Sequence, residues 1–290
     1  MGVRWLVGVL VVAAVLVPGT AAAVGRGIVG EGSAAPGTAA VGPGIVDGGS
    51  AAPGRAAVGP EIIGGGAVDV ADAPWMVALI DQYGYPFCGG TLISQTIVVT
   101  AAHCLAGRTA GGMLVLGGRS DLSQITKGDS VSGVSSIAVE SGFLAAQRGG
   151  DIAELRLVDA FPYRPLKVAD GDAYRAGMMG TVLGWGRAAQ GGPANTVLRE
   201  VRVPIVDQQR CAQLYGRVIS GDGYDSDAMF CAGYTTPPGD QGYDACQGDA
   251  GGPLVVDGQL AGIVSWGIGC GHYPSFYTKV ATYLTPTASR

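Results

Sequence analysis

The chain has 290 residues, 48% of them apolar, with 18 Lys and Arg against 23 Asp and Glu, a net charge of −5 and two histidines. This length and apolar content suit one compact body of two subdomains with a sizeable core. The charges are dispersed, and no Lys/Arg cluster could neutralise a run of phosphates, which excludes nucleic acid as a partner.

The first residues carry a basic start at Arg4, an apolar run from Leu6 to Val17 and small residues ending at Ala23. The run is too short to cross a bilayer and has the form of a secretory signal peptide over residues 1–23, so the protein is expected outside the cell and not in a membrane. Export places the six cysteines in an oxidising milieu. Without a Cys-x-x-Cys pair they read as three disulfides rather than a metal site.

From Gly27 to Pro43 the chain reads GIVGEGSAAPGTAAVGP, and from Gly44 to Pro60 GIVDGGSAAPGRAAVGP. These copies are rich in Gly, Ala and Pro and lack aromatics, so they cannot bury enough surface to offset the entropy of ordering. Residues 24–61 are therefore expected to be a disordered propeptide. Two copies are too few for a solenoid. The third start, after Glu61, leads into the strand-like WMVALI, so folded structure is expected from Ile62.

Beyond it, short β-rich runs (WMVALI, TIVVTA, GMLVLGG, TVLGWG, GQLAGIVSW) alternate with Gly, Asp, Pro and Ser turns. That rhythm predicts an all-β barrel or sandwich. Only SFYTKVATYL reads as helical, and Pro286 should end it early.

Three stretches carry chemistry. TIVVTAAHCL delivers His103 at a strand end, next to Cys104; GGDIAELRL places Asp151 at the head of an alternating strand; CQGDAGGP sets Gly248, Asp249, Gly251 and Gly252 around Ala250. Alone, each has a bland reading as a structural histidine, a turn aspartate and a tight turn. The glycines of the third suit a backbone loop whose N–H groups converge on one point.

In order and spacing, IIGGG, CGGTLIS, TAAHC, GGDIAELRL, LGWG, FCAGY, DACQGDAGGP, SWGIGC and FYTKV resemble a chymotrypsin-family serine protease, most of all its trypsin branch. The resemblance covers residues 62 to about 285. It implies two packed six-stranded antiparallel Greek-key barrels, about 62–170 and about 171–285, with a short C-terminal helix. It also implies disulfides Cys88–Cys104, Cys211–Cys231 and Cys246–Cys270.

By the same resemblance His103 is the general base and Asp151 its orienting acid, with Ser265 donating to Asp151. Gly248 and residue 250 supply the oxyanion N–H groups, and Asp244, Ala245, Trp266, Gly267 and Ser275 form a pocket for Arg or Lys. Ile62, as a new amino terminus, pairs with Asp249. The mature protein is then expected to begin at Ile62, though Glu61 stands where trypsin-type zymogens have Arg or Lys.

Ala250 stands where the family has its nucleophilic serine, and a methyl group can neither attack a carbonyl nor give a proton to His103. Ala245 replaces a serine often found beside the pocket acid, which takes a partner from a lysine ammonium, while an arginine fork pairing bidentately with Asp244 should suffer less. Ser275 replaces a glycine and should intrude on the slot. Arg119 and Ser120 stand where calcium-binding relatives have an acid, so no calcium is expected there; no other metal site is evident and no cofactor is expected. A monomer is expected, with peptides or proteins exposing Arg or Lys as ligands and protein protease inhibitors among its partners. Three readings stay open: a secreted pseudoprotease, an active endopeptidase in a serine-to-alanine form, and an interaction protein that uses the barrel surface away from the cleft.

Overall fold

The computed structural model describes residues 65–123, 130–218, 224–235, 242 and 244–284. The expected signal peptide, the repeats, Ile62 and Pro286 lie outside the described residues. In chain order the strands are β1 (Gly66–Ala67), β2 (Met76–Asp81), β3 (Pro86–Ser94), β4 (Ile97–Thr100), β5 (Met113–Gly117), β6 (Ser130–Val139), β7 (Ala153–Leu157), β8 (Met179–Gly184), β9 (Arg199–Pro204), β10 (Met229–Ala232), β11 (Pro253–Val256), β12 (Gln259–Trp266) and β13 (Ser275–Lys279). Two α-helices accompany them, α1 (Gln208–Val218) and α2 (Val280–Tyr283). No helix among the described residues is long and apolar enough to cross a membrane.

The first six-stranded barrel closes in the order β2-β3-β4-β7-β6-β5, every pair antiparallel. Val77, Leu79, Leu92, Val99, Leu116 and Leu155 are among the side chains of its buried core. The β-branched and leucine-rich runs read as strands in the sequence supply this interior, because branched side chains pack well on a pleated surface.

The second half forms a seven-stranded antiparallel sheet, β1-β9-β8-β11-β12-β13-β10. Its far edge, β10, curls back to the end of β9: Ile205 bridges Ala232, the Val206 N–H donates to Cys231 O at 2.9 Å and the Gly233 N–H to Pro204 O at 2.9 Å. The six strands β8 to β13 thereby enclose a second core that includes Val182, Val203, Phe230, Leu254, Ala261 and Tyr277. Both barrels of the expected fold are present, the second joined at one seam by a single bridge. The two-residue β1 adds itself outside by pairing with β9.

Two helical expectations need correction. In SFYTKVATYL, Ser275 to Lys279 are the strand β13, paired with β10 on one side and β12 on the other, and only Val280–Tyr283 is helical. Aromatic and β-branched residues flanked by two partner strands gain more from the ladder than from a short isolated helix. α1 was not expected. Asp207 caps it, its Oδ1 accepting from Gln209 N at 2.9 Å and Arg210 N at 3.2 Å. Cys211, Leu214 and Tyr215, at helical spacing, form its buried stripe.

All three expected disulfides, Cys88–Cys104, Cys211–Cys231 and Cys246–Cys270, are present. The first ties β3 to the 3-10 turn Ala102–Leu105 that carries His103. The second fastens α1 to β10, and the third joins the loop of Ala250 to the loop after β12.

Candidate active site

Residue 250 is fixed where the two barrels meet. Its carbonyl accepts from the Gly89 N–H of β3 at 2.8 Å, and the Gly89 carbonyl in turn accepts from Thr100 Oγ1 at 2.8 Å. Gly89 adjoins Cys88, whose disulfide partner Cys104 adjoins His103. A short covalent and hydrogen-bonded path thus ties the position of Ala250 to that of His103. Gly251 must be glycine here: φ is +79°, and a β carbon would lie 2.2 Å from Thr100 Oγ1 and 2.5 Å from Gly89 O.

Asp151 is fully buried and well supplied with donors. Its Oδ1 accepts from the His103 backbone N–H at 2.8 Å, and its Oδ2 meets His103 Nδ1 at 2.8 Å and accepts a short bond from Ser265 Oγ. Thr278 Oγ1 donates to the Asp151 carbonyl at 2.9 Å. The second barrel, through β12 and β13, therefore grips an aspartate of the first. A buried carboxylate so bonded holds the imidazole with a proton on Nδ1 and a lone pair on Nε2, the arrangement a general base needs. The sulfurs of Cys88 and Cys104 lie near this ring but are bonded to each other and offer no thiolate to a metal.

Asp249 is also fully buried, with Oδ1 accepting from Gly186 N at 2.7 Å and Oδ2 from Cys246 N at 2.9 Å. Its carboxyl occupies the space left by two absent side chains of LGWG. A β carbon on Gly184 would come 2.1 Å, and one on Gly186 2.3 Å, from its oxygens. Burial outweighs these bonds and pushes Asp249 up to about 6. The expected partner, Ile62, lies outside the described residues.

Ala245, Gly248, Ala250, Ser265, Trp266, Gly267 and Ser275, all expected site residues, line one cleft. Among the described residues the backbone N–H groups of Gly248 and Ala250 have no protein acceptor, as donors for a ligand oxygen require. Trp266 stacks on Phe276 with centroids 4.1 Å apart and meets Tyr215 edge-on at 5.7 Å. The sequence assigns no role to Phe276, Tyr215 or Thr278, although Phe276 and Thr278 lie within FYTKV. The first two stiffen this wall; the signal for Phe276 is its place in FYTKV and that for Tyr215 its place in the apolar stripe of α1.

Asp244 lies behind the cleft, 1% exposed. Oδ1 accepts from Ala245 N at 2.8 Å and Oδ2 from Ser275 Oγ at 2.8 Å. Burial pushes its pKa up to about 8 despite these bonds. The folded value thus exceeds the unfolded one, so its stabilising contribution is complete below about pH 4 and is lost as pH rises through about 8. Denaturant titrations across that window are expected to show stability falling more steeply with pH in the parent than in Asp244→Asn. Parallel pH profiles would contradict this.

The trypsin family profile matches residues 62–286, spanning both barrels and every group described above. The chain belongs to the trypsin family of serine proteases. It is 38% identical over 219 residues to a trypsin of Saccharopolyspora erythraea, covering 74% of this chain and 91% of that protein. It is 38% identical over 216 residues to trypsin eta of Drosophila erecta, covering 70% of this chain and 77% of the relative. A vitellin-degrading protease of Bombyx mori is 37% identical over 226 residues, 73% of this chain and 78% of its own.

Proposed function

We propose that this trypsin-family chain is a secreted pseudoprotease. It binds peptides or proteins through an exposed Arg or Lys, protease-inhibitor proteins among them, and does not cut them. The observation that carries this reading is Ala250, seated where the cleft, the unoccupied N–H donors and the loop docked on β3 meet. A carbonyl placed there could be polarised by the N–H groups of Gly248 and Ala250. No oxygen is present to add to it, so no acyl-enzyme forms and His103 has no proton to take.

Asp244, behind the cleft, supplies its negative charge, as its carboxylate form. Calorimetric titration above about pH 8, where that form prevails, is expected to show a lysine- or arginine-bearing peptide binding the parent and remaining intact by mass. Asp244→Ser should weaken binding by about 1.5 to 3 kcal/mol, the value of a hydrogen bond to a charged group. Cleavage by the parent, or unchanged affinity in Asp244→Ser, would contradict the reading.

A second reading is favoured by how much else is retained: His103, Asp151 and Ser265 are bonded as an active triad would need. On that reading the sequence is a serine-to-alanine form of an active endopeptidase cleaving after Arg or Lys. Reading codon 250 in the source gene separates the two.

A further inference from the structure

Asp244 is not part of the cleft wall; Ser275 is. The Ser275 side chain comes from β13, is 3% exposed, and places its Oγ 2.8 Å from Asp244 Oδ2. A β carbon on Gly267 would lie 2.9 Å from the same Oγ. The hydroxyl therefore lies beside both Gly267, which directly follows β12, and the acid.

This position treats two cations differently. A guanidinium pairs best with a carboxylate through two parallel N–H bonds, and its flat face needs about 3.5 Å of clearance on each side. Ser275 Oγ occupies part of that clearance, and both Asp244 oxygens already accept a bond, one from Ser275 and one from Ala245 N. An ammonium is compact, reaches with one rotatable donor and needs a single acceptor in the slot. Ser275 offers that acceptor: a hydroxyl that gives its only proton to Asp244 has lone pairs left for another donor.

The hydroxyl that residue 245 lacks as alanine is thus supplied from the facing strand. We infer that Ser275 relays the charge of Asp244 into the cleft, so that the pocket selects lysine over arginine through a chain from ammonium to Ser275 Oγ to Asp244. This reverses the preference expected from Ala245 alone, and it rests on the reading of the cleft as a site for basic side chains.

The test uses three disulfide-closed peptides that differ only in carrying lysine, arginine or glutamine at the residue entering the pocket. Each is titrated calorimetrically, at about pH 9 so that Asp244 is ionised, into the parent, Ser275→Gly and Ser275→Ala. The parent should bind the lysine peptide about tenfold or more tighter than the arginine peptide, as one charge-assisted hydrogen bond supplies. Ser275→Gly should shift preference toward arginine, and Ser275→Ala should lose lysine affinity about tenfold without gaining arginine.

Equal or tighter arginine binding by the parent, or an undiminished lysine preference in Ser275→Ala, would overturn the relay. If the parent distinguishes neither basic peptide from the glutamine one while Ser275→Gly takes arginine, Ser275 is a plug: the relay falls and the basic-site reading stands. If no protein distinguishes any peptide from glutamine, the basic-site reading itself falls and takes the relay with it.

Discussion

Ala250→Ser, in protein beginning at Ile62, is expected to hydrolyse peptides after a basic residue, while the parent shows no turnover above background. The expected gain is about 10⁴ or more, the scale on which deleting the nucleophile disables a comparable triad. The change adds one oxygen to a site whose other groups are placed independently of it. The carbonyl of residue 250 is held by Gly89, Gly251 has no room to shift against Thr100, and the preceding Asp249 is anchored by Gly186 and Cys246. The backbone donors of Gly248 and residue 250 belong to the main chain and survive the substitution. Steady-state hydrolysis of a chromogenic lysine or arginine substrate checks it. A variant with a folded, ligand-binding cleft and no turnover would show that the site has decayed beyond its nucleophile.

Adding Asp151→Asn to that variant should remove most of the gain, by about 10⁴, the loss found for the equivalent change in the family's triad. The Asp151 carboxylate faces three donors: the His103 backbone N–H, His103 Nδ1 and Ser265 Oγ. An amide has one acceptor oxygen and would turn an N–H toward one of these groups. Facing Nδ1, it would make that nitrogen the acceptor and move the ring proton to Nε2, where a base needs its lone pair. The rate loss should shrink at high pH, where hydroxide can replace the missing base, and the pH–rate profile reports this. A loss under about tenfold would mean that the carboxylate only packs against the ring.

The sequence made the barrels legible because β-branched runs punctuated by Gly and Asp have few other ways to bury themselves. WMVALI, TIVVTA, GMLVLGG, TVLGWG and GQLAGIVSW all contribute to strands β2, β4, β5, β8 and β12. SFYTKVATYL misled because its first half takes its identity from two distant partner strands. The signal for α1 is confined to Asp207 and the spacing of Cys211, Leu214 and Tyr215, too short a pattern to stand out among the surrounding strands. At the site, resemblance placed the groups, but the Ser275–Asp244 bond joins residues 31 apart through a β13 register that no local pattern encodes. The need for glycine at 184 and 186 likewise became intelligible only with Asp249 packed against them.

The central claim is that the site lacks only its attacking oxygen. It is tested most directly, and without reliance on the specificity pocket, by treating the parent and Ala250→Ser with a small alkyl fluorophosphonate and measuring intact mass. The new hydroxyl should add to phosphorus as His103 takes its proton and fluoride departs, giving a one-to-one adduct on Ala250→Ser and none on the parent. An unmodified Ala250→Ser protein that begins at Ile62 and is folded would contradict the claim.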